Sequence, residues 1–266
     1  MIIRFSKYQG TGNDFIMIDN RSSVLRNLEN TSSLIARLCN RKFGIGADGL
    51  ILVNSATTSD FEMSYYNADG KIGTMCGNGG RSCVAFANSL GLIKESAVFT
   101  ASDGLHEAFI VNKEKEQTLV KLKMKDVEGI IKNEDYFVLN TGSPHYVCFK
   151  KEVEKLNVFQ EGRNIRYSKL FEKEGINVNF AEVKETGIFV RTYERGVEDE
   201  TLSCGTGATA VAITASIAHF CKPHFCQIIA PGGKLEVSFK QQNENLFTDI
   251  WLQGPVSCVY KGEINI

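Results

Sequence analysis

The stretch "TMCGNGGRSC", Thr74 to Cys83, sets a cysteine against closely spaced glycines and then runs into an Ala- and Ser-rich segment. The stretch "LSCGTGATAV", Leu202 to Val211, does the same, with Cys204 standing 128 residues after Cys76. Both Cys-Gly-polar-Gly units lead into predicted helices, "GGRSCVAFANSLG" and "GTGATAVAITASIAHF". The second carries almost no charge around its circumference, the pattern of a helix buried on all sides. A helix start presents N–H groups without carbonyl partners and about half a positive charge. A cysteine placed there can have its pKa drawn from about 8.5 down to roughly 3.5–7.5. The glycines let backbone approach a ligand without Cβ obstruction, and the same N–H groups can hold a carboxylate.

Working outward, the repetition continues. "YYNADGKIGTMC" lies over "YERGVEDETLSC", with Tyr65 against Tyr193. "RKFGIGADGLILV" and "FEKEGINVNFAEV" both place Gly-Ile before a strand, at an offset of 131 between Gly44 and Gly175. "QGTGNDFIMID" parallels "LNTGSPHYVCF", at an offset of 130 between Gly12 and Gly142. Three anchors in one order at nearly constant spacing predict two halves of similar architecture. Between them "FEMSYY" and "TLVKLKM" alternate apolar and polar residues as half-buried strands do, and "TSSLIARLCN" reads as a short helix capped by Thr31 or a neighbouring Ser. The expected fold is α+β: two pseudo-symmetric α/β domains, each a mainly β shell around a central buried helix, with an active site in the cleft between them. The halves are expected over 1–128 and 129–257, dividing near "KDVEGIIKNED", with 258–266 returning to the first half.

With 266 residues and 43% apolar content, the chain can bury one large core or two smaller ones. A net charge of -1 gives no electrostatic footprint for nucleic acid or an anionic membrane. The start "MIIRFSKYQGTGND" lacks a secretory h-region, and no apolar run approaches the roughly 20 residues of a membrane span, so a cytoplasmic location is expected. The eight cysteines lack small-scaffold disulfide spacing and are expected as free thiols. Cys39, Cys83, Cys148 and Cys258 sit among apolar residues and read as core. Cys76 and Cys204 do not.

Two other motifs lose on context. "GIGADG", Gly44 to Gly49, matches a dinucleotide fingerprint, but a helix precedes it and a strand follows, the reverse of what that motif needs. "HFCKPHFC", His219 to Cys226, offers two His and two Cys, yet the spacing is not that of a zinc knuckle. It reads instead as a helix end stopped by Pro223, followed by core cysteines, with a non-catalytic metal-binding protein as the rival reading.

Two matched thiols suit the inversion of a stereocentre. One base removes an α-proton from one face while one acid delivers a proton to the other, and the roles exchange in the reverse direction. Such a pair titrates as a coupled unit. The developing enolate-like charge needs preorganised donors, which helix N-termini supply.

"GTGNDF", "FGIGADGLI", "NADG", "CGNGGRS", "GSPH", "NVNF" and "ERGVEDETLSCGTGA" occur in order over essentially the whole chain. In these motifs the chain resembles the diaminopimelate epimerase family, cofactor-independent isomerases of lysine and peptidoglycan precursor synthesis. The resemblance implies Cys76 and Cys204 as the acid/base pair. It also implies Asn13, Asn67, Asn177, Glu194 and Arg195 as substrate-binding residues. Gly77, Asn78, Gly205 and Thr206 would hold a carboxylate, with His145 close by. Glu194 could accept from the distal ammonium of a substrate that is an amino acid at both ends, and Arg195 could grip its carboxylate. The partner is then a small amino acid, with neither metal nor cofactor, and a homodimer is expected from the family alone. A proline or hydroxyproline racemase is the neighbouring alternative, without use for Glu194 and Arg195. Two positions depart from the pattern: Gly49, where many members have Gln, and Ser143, where many have Asn. Ser143 is expected to reach a partner only through water or a shifted backbone.

Overall fold

The computed structural model describes residues 1–23, 25 and 31–266. Residues 1–122 and 254–266 make one unit, and residues 123–253 the other. The first unit contains β1 (Ile2–Gly10), β2 (Asn13–Asp19), α1 (Thr31–Cys39), β3 (Gly49–Asn54), β4 (Phe61–Asn67), α2 (Gly77–Ser89), β5 (Ser96–Ala101), β6 (Gly104–Lys113) and most of β7 (Thr118–Lys123). β1 and β2 pair antiparallel, β2 lies parallel to β3, and β3 and β4 are again antiparallel. β4 runs parallel to β5, and β5, β6 and β7 follow as an antiparallel meander. A parallel pair cannot be joined by a hairpin, so α1 and α2 are the two crossover connections.

The second unit repeats this order. It holds the two-residue strands β8 (Val127–Glu128) and β9 (Ile131–Lys132), then β10 (Phe137–Asn140), β11 (Pro144–Phe149), α3 (Val158–Arg166) and β12 (Asn177–Lys184). β13 (Gly187–Glu194), β14 (Asp199–Thr201), α4 (Gly205–Ile217), β15 (Phe225–Ala230), β16 (Gly233–Asn243) and the start of β17 (Leu246–Asn265) follow. β10 and β11 are antiparallel, β11 and β12 parallel, β12 and β13 antiparallel, and β13 and β15 parallel. β15, β16 and β17 continue antiparallel. β8 pairs with β17 and β9 with β10, so the short link between β8 and β9 carries the sheet back to its first strand and removes an exposed edge. The far end of β17, from Ser257 to Asn265, pairs with β1.

Each sheet surrounds a helix of small residues. In α2 every residue from Gly77 to Ala87 is buried, and in α4 every residue but Thr206 is. Ala210, Val211 and Ile213 of α4 pack with Val237, Phe247 and Leu252 of the surrounding strands. Each large aliphatic side chain so buried contributes about 1.5–3 kcal/mol. α1 and α3 bury one face only, through Ile35 and Leu38 and through Val158 and Gly162. Among the described residues no helix is long and apolar enough to cross a membrane.

Four sequence expectations need correction or closer definition. α1 begins at Thr31 itself, which is therefore its first helical residue and not its cap, and the residue before it lies outside the described residues. Gly44 to Gly49 is a turn that folds back on α1: the N–H groups of Ile45 and Gly46 both donate to the Leu38 carbonyl, at 2.9 and 3.0 Å. A Cβ on Gly44 would stand 2.1 Å from the Arg37 carbonyl oxygen, which is why glycine is needed there. α4 ends at Ile217 rather than near Pro223. His219 adopts a left-handed conformation at φ 59, and Phe220 N–H reaches back to the Ala215 carbonyl at 2.8 Å, closing the helix before the proline can act. Cys39, Cys83 and Cys148 are buried, but Cys258 is exposed. It lies at a register shift opposite Lys7 and Tyr8, where a bulge breaks the inside-outside alternation.

Candidate active site

In the first unit Cys76 is the N-cap of α2, with extended backbone (φ -109, ψ 127), and its carbonyl accepts from Gly80 N–H at 2.7 Å. The N–H groups of Gly77, Asn78 and Gly79 therefore start the helix, with no earlier intrahelical carbonyl to take them. The Cys76 thiol is half-buried and does not cap its own helix. It donates instead to Asn13 Oδ1 at 3.6 Å, and Asn13 Nδ2 donates to Asp48 Oδ2 at 2.7 Å. Asp48 is anchored by Arg41, which also grips Asp14, and Lys7 pairs with Asp14. Burial alone would raise the Asp14 carboxyl, but hydrogen bonds from Arg41 and Lys7 hold it well below the usual carboxylate range. Asn67 lies at the exposed end of β4, its Oδ1 close to Gly73. The Tyr65 ring lies against both Gly49 and Gly73, where an added Cβ would come within 2.5 Å of it. The glycine at 49 is thus matched to a tyrosine that fills the space beside it.

In the second unit Cys204 repeats the N-cap geometry on α4 (φ -122, ψ 117), and its carbonyl accepts from Ala208 N–H at 2.8 Å. Here the thiol is 3.4 Å from Thr206 Oγ1. Thr206 Oγ1 is 2.9 Å from His145 Nε2, and His145 Nδ1 is 3.1 Å from Asn179 Nδ2. Asn179 Nδ2 also donates to the Tyr146 carbonyl, and its Oδ1 accepts from Thr192, which fixes the amide orientation. His145 Nδ1 must then accept, so the ring proton sits on Nε2 and is donated to Thr206, whose hydroxyl is left to point at Cys204. Burial, reinforced by the Arg195 charge, lowers the His145 pKa to about 3, so the imidazole behind Thr206 is neutral at ordinary pH.

Beside it lies a second cluster. Asn177 stands opposite His145 in the β11–β12 register. It donates to Ser143 Oγ at 2.8 Å and accepts from Arg195 N–H at 2.9 Å. Arg195 Nη2 donates to the same Ser143 oxygen at 3.4 Å and Nη1 to the Glu174 carbonyl at 3.0 Å. Ser143 therefore contacts its neighbours directly, without the water or backbone shift expected of the shorter side chain. Glu194 is half-buried and accepts from Thr201 at 2.9 Å. Elsewhere, burial pushes the Cys39 thiol up to about 12 and the Cys148 thiol to about 11, removing them from acid/base work. Among the described residues no three His, Cys, Asp or Glu side chains come together as a metal site, and His219 serves the end of α4.

Sequence reasoning passed over Thr11, Asp48, Arg81 and Asn179. Asn179 had a usable signal: in "NVNF" it lies two residues from Asn177 on a strand and so shares its face. Arg81 had none, because a charged residue inside a helix ordinarily faces solvent.

A family model described as diaminopimelate epimerase matches residues 5–128 and 137–259. A diaminopimelate epimerase of Flavobacterium psychrophilum is 51% identical over 263 residues, covering 98% of this chain and all of the relative. Among solved structures, a PhzF-family phenazine biosynthesis protein of Bacillus anthracis superposes with a TM-score of 0.78 at 15% identity, covering 100% of both chains. A hydroxyproline epimerase of Agrobacterium vitis superposes with a TM-score of 0.70 at 11% identity, covering 99% of this chain and 92% of that one. At those identities the two structures speak for a shared fold. The near-full-length match to the family model and to its relative, on a chain with a cysteine at the start of each central helix, places this chain in the diaminopimelate epimerase family.

Proposed function

We propose that this chain interconverts LL- and meso-diaminopimelate, with Cys76 and Cys204 as the two acid/base residues. The observation that carries the reading is the repeated N-cap cysteine. Each unit offers one thiol beside a first turn whose N–H groups can hold an anion. In the reaction a thiolate takes the α-proton from one face. The electron pair moves onto the carboxylate as an enediolate-like anion. The second thiol then gives its proton to the opposite face, leaving thiol and thiolate exchanged. The chemistry needs no electron sink beyond donors aimed at the carboxylate, the role assigned to Gly77, Asn78, Gly205 and Thr206. Asn13 and Asn67 in the first unit, and Asn177 in the second, are assigned to the substrate's polar groups.

The distal end of the substrate is assigned to Glu194 and Arg195, supported by Asn177 and Ser143. A carboxylate beside a guanidinium suits an ammonium beside a carboxylate. His145 supports Cys204 through Thr206. A proline-type substrate has no distal amino-acid end and would leave these groups unanswered. The reading places the enzyme in the cytoplasm as a homodimer working in lysine and peptidoglycan precursor synthesis. NMR of LL-diaminopimelate with the protein in D₂O tests it: deuterium should enter one α-carbon as meso product forms. Exchange on proline with none on diaminopimelate would move the assignment to the racemase alternative.

A further inference from the structure

Arg81 of α2 is completely buried, five residues after Cys76. Its Nη1 donates to the Gly77 carbonyl at 3.4 Å, and its Nη2 donates to Asn78 Oδ1 at 3.0 Å and Thr11 Oγ1 at 3.3 Å. Its Nε has no partner. Gly10 lets β1 lie close against this turn, since a Cβ there would stand 3.3 Å from both the Asn78 carbonyl oxygen and Ser82 Oγ. Every acceptor of this guanidinium is neutral. A buried cation without a counter-charge is costly, and a guanidinium does not relieve the cost by losing its proton at ordinary pH.

The group placed to answer it is Cys76. It is the N-cap residue directly before Gly77, whose carbonyl takes Arg81 Nη1, and while burial draws the Arg81 pKa down to about 10, a negative charge on Cys76 acts the other way. The other charges of the unit near Asn13, namely Lys7, Arg41, Asp14 and Asp48, are paired among themselves. Tyr8 on β1 packs against Phe86 of α2 and stays neutral, its pKa raised by burial to about 12. On β6, His106 is engaged with Asp103, and on β4, Glu62 is exposed. The same position on α4, 128 residues on, holds Thr209, which donates to the Gly205 carbonyl at 3.0 Å. Around Cys204 stand the neutral Thr206 and His145, with Glu194 and Arg195 at the end of β13 carrying opposite charges.

We infer that Arg81 is a positioning residue whose unpaired buried charge makes Cys76 the first of the two thiols to ionise, so that Cys76 rests as thiolate and Cys204 as thiol. The inference rests on the proposed role of the two cysteines as the acid/base pair. A full charge outweighs a neutral hydroxyl such as the one Thr206 offers Cys204. The S–H contact from Cys76 to Asn13 is a weak donor's bond, and little is lost when it is given up.

The test is the pH dependence of iodoacetamide alkylation at each cysteine, read by peptide mass spectrometry on the full chain without substrate. The midpoint for Cys76 should lie at least a pH unit below that for Cys204. In Arg81→Met the Cys76 midpoint should rise by a unit or more, about tenfold less thiolate near neutral pH, with Cys204 unmoved. Arg81→Lys should restore most of the shift. Cys204 ionising first in the unmodified protein would overturn the inference, whether or not Arg81→Met folds. So would an unchanged Cys76 midpoint in a folded Arg81→Met. Because the readout needs no turnover, its failure is separable from failure of the epimerase reading.

Discussion

α2 and α4 have the same length, the same N-cap residue and the same closing hydrogen bonds, yet they are built from different contacts. Both run 13 residues from the residue after a cysteine. Both end with a left-handed residue 15 positions past that cysteine, Gly91 in one and His219 in the other. What differs is the lining. Cys76 faces an amide held by a carboxylate, and the buried Arg81 donates to the carbonyl of the next residue, Gly77. Cys204 faces a hydroxyl held by a neutral imidazole. A duplicated backbone frame therefore carries two chemically distinct thiol environments. The proposed two-base reaction uses two groups alike in kind of which only one holds the proton, and unlike linings decide which one that is.

The largest expected effect follows from treating the two regions as equal partners. Cys76→Ala and Cys204→Ala should each lower epimerisation by roughly 10²–10⁴-fold or more, the usual contribution of a positioned acid or base. Steady-state assays in both directions measure this, and near-normal turnover in either variant would end the two-base scheme.

The next effect belongs to the second unit alone. His145 has a folded pKa near 3 against an unfolded value near 6.5, so the unfolded chain binds more protons between those limits. Stability should be fully present above about pH 6.5 and fall as pH drops toward 3, by up to about 1.4 kcal/mol per pH unit from this group. Urea midpoints from pH 7 to 5 measure the slope. His145→Asn should flatten it, and an unchanged slope would show that other groups set the acid limit.

A matched pair of glycines gives a smaller contrast. A Cβ at Gly207 would stand 2.5 Å from Asn179 Oδ1, whereas one at Gly79 meets the Ile51 methyl at 3.2 Å. Gly207→Ala should cost about 1–3 kcal/mol and disturb the Asn179–His145 contact, while Gly79→Ala should cost less. Equal losses would mean that the two first turns are packed alike. Smallest is the exchange at the helix ends. His219→Gly should gain up to about 1 kcal/mol by removing the left-handed strain of a residue with a Cβ, and Gly91→Ala should lose a similar amount. Thermal midpoints suffice to compare them.

Much of this frame was legible in the chain itself. The repeat of Cys76 at Cys204, the uncharged circumference of α4 and the alternation in β4 and β7 each carry a pattern that local physics can read. The ends of elements were less legible. α4 stops at a histidine that no helix-stop pattern names, and Cys258 faces outward because a bulge shifts its strand. The cysteines and their flanking glycines stood out because a reactive group beside glycines is rarely packing alone. Arg81 did not, because its partner Thr11 lies in the turn after β1 and only the folded chain brings it there. The role of Asn179 beyond its shared face with Asn177 needs His145 of β11 and Thr192 of β13. Gly49 looked like a missing side chain and is explained by Tyr65, 16 residues further on.

The most direct test of two sulfurs serving one carbon is the isotope pattern of the first few per cent of turnover in D₂O. Starting from either LL- or meso-diaminopimelate, the product should carry deuterium at the inverted α-carbon while the remaining substrate stays unlabelled. Product that retains the substrate's own proton, or substrate that gains deuterium as fast as product forms, would mean a single base working on both faces and would contradict the account.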